Sequence, residues 1–277
     1  MDIRKILKEN NFRFNHGLGQ NFITDDVLLD NIVKASGVTS DDVVVEIGVG
    51  AGTLTRHLAK AVKRVISFEV DENLRPVLKQ TLQDKDNVTV IFKDVLKMSD
   101  EELKDIIGAP FKVVANLPYY ITTPLIMRFL ESSLEVNSIS VMVQKEVADR
   151  LVAVPNTSDY GVITVAVNLR GDANIKMVVD KTNFYPMPKV DSAVVRIDVT
   201  DKYEGVDKLG VMKLVKCGFA MRRKVLTNNL KNTYNLDSGE CESVLKEAGF
   251  SPQIRGEALS TEDYIRLYDI MKNMNLI

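Results

Sequence analysis

The chain has 277 residues, 45% hydrophobic and 27% charged, with a net charge of −2, so it can bury one sizeable core and carry a small appendage. It contains no run of the ~20 apolar residues that a bilayer span needs, and its first seven residues lack the pattern of a secretory signal. Cys217 and Cys241 stand far apart and beside no histidine cluster, which argues against a disulfide framework and against zinc. The expectation is a soluble, cytoplasmic protein without a metal or a membrane role, monomeric because no coiled-coil pattern or interface stripe stands out.

Asn15 to Phe22 is too polar and glycine-rich for a core element, and it precedes an acidic helix start at Thr24-Asp25-Asp26. Such a segment can fold over a ligand, with Asn21 as a donor. Val43 to Ile47 reads as a buried strand entering a glycine-rich turn, and Thr53 to Ala61 as a helix with Leu54, Leu58 and Ala61 at helical spacing. Val65 to Glu69 is a second strand. Glu72 to Leu82 is helical, with Pro76 separating or distorting its first turn. Val88 to Phe92 and Lys112 to Ala115 are further strands, leading into Asp94 and Asn116. A helix is expected over 123–134, capped by Thr123 with Pro124 first, and then a strand over 139–143.

This alternation predicts an α/β fold, a mostly parallel sheet covered on both faces. Ligands collect at the carboxyl ends of such strands, where Glu46, Glu69, Asp94 and Asn116 all fall. Val162 to Leu169 and Ala193 to Val199 are additional strand candidates, separated by the proline-stiffened loop Asn183-Phe184-Tyr185-Pro186-Met187-Pro188. The charged stretch Asp201 to Gly210 breaks the pattern, and the remainder reads as all-helical. Two domains are therefore expected, 1–200 and 201–277.

Gly48, Gly50 and Gly52 allow backbone to pass close to a ligand. The spacing is G-x-G-x-G, with Thr53 where a dinucleotide-binding loop places its third glycine. S-adenosylmethionine has no pyrophosphate, and an acid at Glu46 suits its cationic methionine portion; an NAD site is the alternative. Glu69 has the placement to accept both ribose hydroxyl protons and Asp94 to accept an adenine amine. Either could instead be an exposed acid capping the next helix.

Asn116-Leu117-Pro118-Tyr119 is the most informative run. The exocyclic amine of adenine is a poor nucleophile because its lone pair is delocalised into the ring. Acceptors that hold its two N–H bonds direct the lone pair at a methyl donor and strengthen as positive charge develops. The Asn116 side-chain oxygen and the Leu117 carbonyl can accept, Pro118 biases Leu117 towards an extended conformation, and Tyr119 can stack on the base. Phe184 is the candidate for the opposite face of the base, with core packing as its alternative. The run therefore reads as part of an S-adenosylmethionine enzyme acting on adenine. Val211 to Lys231 carries six basic residues and no acid: Lys213, Lys216, Arg222, Arg223, Lys224 and Lys231. It is either a nucleic-acid patch or a solvated helix face.

Together, Leu18-Gly-Gln-Asn-Phe22, Glu46-Ile-Gly-Val-Gly-Ala-Gly52, Asn116-Leu-Pro-Tyr-Tyr120 and Phe184-Tyr-Pro-Met-Pro-Lys-Val-Asp-Ser192 form a pattern similar to the ribosomal RNA adenine dimethylases. Met142 to Leu151, Phe219 to Lys224 and Arg255 to Ser260 extend it over about residues 12 to 270. The resemblance implies a Rossmann-like methyltransferase fold with a small C-terminal helical domain. It also implies N6-dimethylation of two neighbouring adenosines in the 3′-terminal hairpin of small-subunit ribosomal RNA, within an immature 30S particle late in ribosome biogenesis. Positions matching Asn21, Ile23, Gly48, Glu69, Asp94 and Asn116 would contact S-adenosylmethionine, which leaves as S-adenosylhomocysteine. Those matching Asn116, Leu117, Tyr119 and Phe184 would surround the target base. Ile23 stands where a leucine is usual and Val49 replaces another small residue; neither change removes a polar group. Two alternatives are an assembly factor whose methylation is secondary and a large-subunit adenine methyltransferase.

Overall fold

The computed structural model describes residues 2–117 and 121–277. In chain order the elements are α1 (Ile3–Glu9), β1 (Phe22–Ile23), α2 (Asp26–Ser36), β2 (Val43–Ile47), α3 (Thr53–Ala61), β3 (Arg64–Glu69) and α4 (Arg75–Thr81). There follow β4 (Val88–Phe92), α5 (Asp100–Ile107), β5 (Phe111–Asn116), α6 (Thr122–Leu130), β6 (Val136–Gln144), α7 (Lys145–Leu151) and α8 (Val162–Asn168). The last are β7 (Gly171–Val179), β8 (Phe184–Tyr185), β9 (Ser192–Val199), α9 (Lys208–Ala220), α10 (Leu226–Tyr234), α11 (Ser238–Glu247) and α12 (Thr261–Asn273). They form two compact units, Met1–Ala148 with Asp172–Thr200, and Asp149–Gly171 with Asp201–Ile277.

The first unit is built on a seven-stranded sheet in the order β4-β3-β2-β5-β6-β9-β7. The pairs β2–β3, β3–β4, β2–β5 and β5–β6 are parallel, and β6–β9 is antiparallel. Every residue of β2 is buried, as a strand covered on both faces requires, which is why its sequence is a run of valines rather than an alternation. Burying each such side chain fully is worth about 1.5–3 kcal/mol. On one side Leu29, Ile32, Leu54 and Leu58 of α2 and α3 pack with Val44, Val65 and Val114. A second cluster joins Ile3, Ile6 and Leu7 of α1 to Leu74, Val77 and Leu78 around α4. The chain runs outward from β2 through β3 to β4, then returns to β5 on the other side of β2. That reversal opens a crevice at the strands' carboxyl ends, where α/β sheets bind ligands.

Helix boundaries follow local chemistry. Asp25 caps α2 by accepting from the amides of Val27 and Leu28. As Pro76 predicts, Glu72–Leu74 is a separate 3-10 turn and α4 begins afresh at Arg75. The helix expected over 123–134 instead spans Thr122–Leu130, so Thr123 is not its cap. Pro124 then occupies the third position, where its missing N–H still has no intrahelical partner to lose.

Two expectations are corrected by the region around 149–179. Val162 to Leu169 is not a strand but α8, with Thr164, Val165, Ala166 and Val167 buried. Its β-branched residues favour a strand only where a strand partner exists; here the Thr164 hydroxyl instead donates to the Arg150 carbonyl at 2.6 Å. The strand is β7, whose regular alternation of outward and half-buried side chains is the period-2 signal that marks one. The expected domain division at 200/201 also changes, because 149–171 belongs to the helical unit. Tyr160 is the reason: its buried hydroxyl donates to the Leu259 carbonyl at 2.8 Å, while the Asn156 amide donates to the Glu257 carbonyl.

Candidate active site

At the carboxyl ends of β2 to β5 lies a cavity of ≈ 340 Å³, within the ordinary range of small-molecule sites, about 300–1,000 Å³. Gly48 and Gly50 form part of its wall at φ +76° and +56°, backbone angles that side-chain-bearing residues adopt only with strain. A Cβ on Gly50 would sit 2.8 Å from the Phe22 ring. The amino end of α3 meets the cavity through Thr53 and Leu54, and no side chain caps it.

Glu69 ends β3 and is buried against the glycine loop. One carboxylate oxygen accepts from the Gly50 amide at 2.9 Å, the other from the amides of Val70 and Asp71 at 2.8 and 2.9 Å. Desolvation raises its pKa and outweighs the opposing effect of these three amides. A carboxylate offers about four acceptor positions, so three amides leave capacity for a ligand hydroxyl. Glu69 is thus neither exposed nor merely a cap. Asp94 lines the same cavity while its side chain caps the following turn through the Leu96 amide.

Glu46 behaves differently. It is not part of the cavity wall: the next residue, Ile47, is. Its register partner across the sheet is Ser67, whose hydroxyl donates to the Glu46 carboxyl at 2.8 Å. Thr55 lies near enough to act on the carboxyl's charge, yet its hydroxyl makes no hydrogen bond within ordinary geometric limits. Burial pushes the Glu46 pKa up to about 8, which favours a neutral acid at neutral pH. Enclosed behind the wall and bonded to Ser67, the Glu46 carboxyl does not face the cavity as the expected counter-charge for a bound cation would. Ile23 and Gly52 are likewise absent from the wall. Ile23 is in the core, and Gly52 packs towards Thr81 and Leu78.

Asn116, Leu117 and Phe184 line the same cavity. The Asn116 Nδ2 donates to the Asn21 carbonyl at 3.1 Å. A carbonyl can only accept, so this bond fixes which way the amide is turned and leaves Oδ1 as the acceptor. Phe184 is 5% exposed and belongs both to the wall and to the core, so it lines the site and packs at once. Pro118 and Tyr119 lie outside the described residues.

The segment before β1 passes over the cavity as expected, contributing Leu18, Gly19, Gln20 and Asn21. Gln20 holds it in place: its Nε2 donates to Asp71 at 2.6 Å and its Oε1 accepts from the Asn15 amide at 2.8 Å. Sequence reasoning missed Gln20, Val70, Lys93 and Val95 in the wall. Val70 and Val95 each directly follow an acid identified at a strand end, and that adjacency was the available signal.

In the second unit, Lys213, Lys216, Arg223 and Lys224 are exposed. Arg222 is occupied instead by the carbonyls of Ser158 and Tyr160 and by Glu257, 3.3 Å away. Lys231 donates to the Ser238 hydroxyl at 2.5 Å. Five of the six residues expected to meet nucleic acid are therefore exposed, and two of the six, Arg222 and Lys231, also make internal hydrogen bonds. Among the described residues no group of three or more His, Cys, Asp or Glu is arranged to hold a metal, and no helix is long and apolar enough to cross a membrane.

The sequence pattern of the ribosomal RNA adenine dimethylases matches residues 11–273. The chain is 43% identical over 272 residues to the ribosomal RNA small subunit methyltransferase A of Clostridioides difficile, covering 97% of this chain and 94% of that one. Identity to the protein of the same name from Bacillus licheniformis is 44% over 285 residues, covering 99% and 96%. Among solved structures, a dimethyladenosine transferase from Plasmodium falciparum superposes with TM-score 0.78 at 24% identity, over 92% of this chain and 98% of that one. The 23S rRNA methyltransferase ErmE gives 0.70 at 26%, over 91% and 99%.

Proposed function

The chain belongs to the ribosomal RNA adenine dimethylase family, and on that footing we propose that it dimethylates N6 of two adjacent adenosines in the 3′-terminal hairpin of small-subunit ribosomal RNA. The substrate is an immature 30S particle, and the enzyme acts on it as a cytoplasmic monomer late in assembly. The small-subunit choice is supported by relatives of that name at 43–44% identity, against 26% for the 23S rRNA enzyme.

S-adenosylmethionine, when bound, supplies an electrophilic methyl group on a sulfonium. The residues present suit it: close-approaching glycine backbone at 48 and 50, the buried acceptor Glu69 for ribose hydroxyls, Asp94 for an adenine amine, and apolar walls at Val70 and Val95. The uncapped amino end of α3 suits the methionine carboxylate. Asn21 lies alongside as a further polar contact.

The observation that carries the proposal is the Asn116 amide, fixed by the Asn21 carbonyl in the same cavity as Glu69 and the glycine loop. In that orientation Asn116 Oδ1 accepts one N–H of the target amine, and the Leu117 carbonyl is assigned the other. Both interactions strengthen as the nitrogen gains positive charge, so they stabilise the transition state more than the ground state. No base needs to deprotonate the amine beforehand. Phe184 takes one face of the target ring and Tyr119 is assigned the other; together they exclude water and hold the amine in line. Exposed Lys213, Lys216, Arg223 and Lys224 position structured RNA through its phosphates.

The test is methyl transfer to undermethylated 30S particles, with the modified positions read by mass spectrometry. Dimethyladenosine should appear at two neighbouring positions of the terminal hairpin. Transfer only to large-subunit RNA or to DNA would overturn the assignment.

A further inference from the structure

A base that enters the cavity remains part of an RNA strand, so its flanking nucleotides must cross the cavity rim, and Phe184 is one of the residues that line the cavity. The β1–β8 pairing sets Ile23 opposite Phe184 and Phe22 opposite Tyr185. Successive strand residues face opposite sides: Phe184 turns into the core and cavity, whereas Tyr185 is 37% exposed. The Tyr185 ring packs edge-on against Phe14, with centroids 5.6 Å apart, and the Arg4 guanidinium lies over it at 4.6 Å. Among the described residues Arg4 has no ion-pair partner. Beyond Pro186, Met187 is 61% exposed, Val190 is 45% exposed, and Lys189 between them is exposed too. Apart from the part of the Tyr185 ring under Arg4, these large side chains are open to solvent, and such a group marks a binding site more often than an isolated side chain does.

We propose that Tyr185 and Met187, with Arg4 over part of the Tyr185 ring and Lys189 nearby in the chain, form a platform for the nucleotide adjoining the target adenosine. An aromatic ring and a thioether offer the flat, polarisable contact that an unpaired base takes, and the two cations suit its phosphate. Tyr185 and Met187 are thus positioning residues for the substrate strand rather than catalytic ones. Their place next to Phe184 lets one short segment hold both the reacting base and its neighbour. The inference rests on the function proposed above, because the strand it seats is the RNA of that reaction.

The experiment measures kcat and KM on undermethylated 30S particles for the wild-type protein and for Tyr185→Ala, Tyr185→Phe, Met187→Ala and Arg4→Gln. S-adenosylmethionine affinity and Tm are recorded for each. Tyr185→Ala should raise KM about tenfold, as loss of one base–aromatic stack predicts, with kcat and cofactor affinity near wild type. Tyr185→Phe should restore KM, and Arg4→Gln should raise it while lowering its dependence on salt. Wild-type KM in Tyr185→Ala, or equal impairment of the Ala and Phe variants, would overturn the platform. If Tyr185→Ala lowers Tm or cofactor affinity, Met187→Ala and Arg4→Gln decide, and unchanged KM in both overturns it. Failure of the wild-type protein to methylate the particle would instead remove the function itself.

Discussion

Asn116 and Glu46 both stand at the ends of parallel strands next to the same cavity, yet their surroundings give them opposite uses. Asn116 is turned by one hydrogen bond from its own Nδ2, which leaves its side-chain oxygen as the acceptor that the proposed function uses. Asn116→Ala should lower kcat for methyl transfer by about 10²–10³-fold, by analogy with loss of a preorganised group that contacts the transition state. Cofactor affinity, measured by calorimetry, should stay close to wild type; an unchanged rate would dismiss the acceptor role. Glu46 is enclosed beside Ser67 with its pKa pushed up to about 8. Between its ordinary value near 4.5 and 8, the folded protein holds a proton that the unfolded chain releases. Stability therefore falls as pH rises through that interval and levels off above it. Glu46→Gln resembles the neutral acid and removes the slope. Its Tm should exceed that of wild type at pH 8, with the advantage shrinking towards pH 5 and cofactor affinity preserved. Parallel Tm curves for the two proteins would show that Glu46 is ionised.

At the level of elements, the glycine loop, β1 and the segment before it act as one device. Gly50 combines a φ of +56° with a virtual Cβ 2.8 Å from Phe22, and its amide donates to Glu69. Gly50→Ala must therefore strain the backbone, by roughly 1–2 kcal/mol for a side chain in the left-handed region, and push Phe22 aside. A fall in Tm and at least tenfold weaker S-adenosylmethionine binding are expected by thermal unfolding and titration. An unaffected Kd would mean that the loop does not hold the cofactor. The Gln20–Asp71 bond ties the overlying segment to the end of β3, so Gln20→Ala should speed cofactor release more than it slows association.

For the whole molecule, charge is best considered unit by unit. A total of −2 conceals the exposed Lys213, Lys216, Arg223 and Lys224 of the second unit. Replacing these four with glutamine should weaken particle binding and reduce the slope of log affinity against log salt by about 0.7–0.9 for each phosphate that is no longer neutralised. Cofactor affinity should not move. Arg222→Ala should behave differently and lower Tm, because that side chain supports the Ser158 and Tyr160 carbonyls. If Arg222→Ala changed only the salt slope, its role would be at the RNA after all.

Much of this was legible in the residues themselves. The valine run of β2, the glycine spacing and the acids at strand ends report local constraints: burial on both faces, permitted backbone angles and chain reversals at the sheet edge. Such constraints are written in short stretches, so Glu69, Asp94 and Asn116 could be placed at the cavity and a glycine loop in its wall could be read. Tertiary structure alone decided matters that depend on what lies across from a residue. Strand register set Glu46 against Ser67 and kept it out of the cavity. A valine-rich segment folds as α8, and hydrogen bonds from Tyr160 and Asn156 tie the stretch before it to the helical unit. Arg222 gives the same lesson: its charge is in the sequence, but the carbonyls that occupy it come from residues more than sixty positions away.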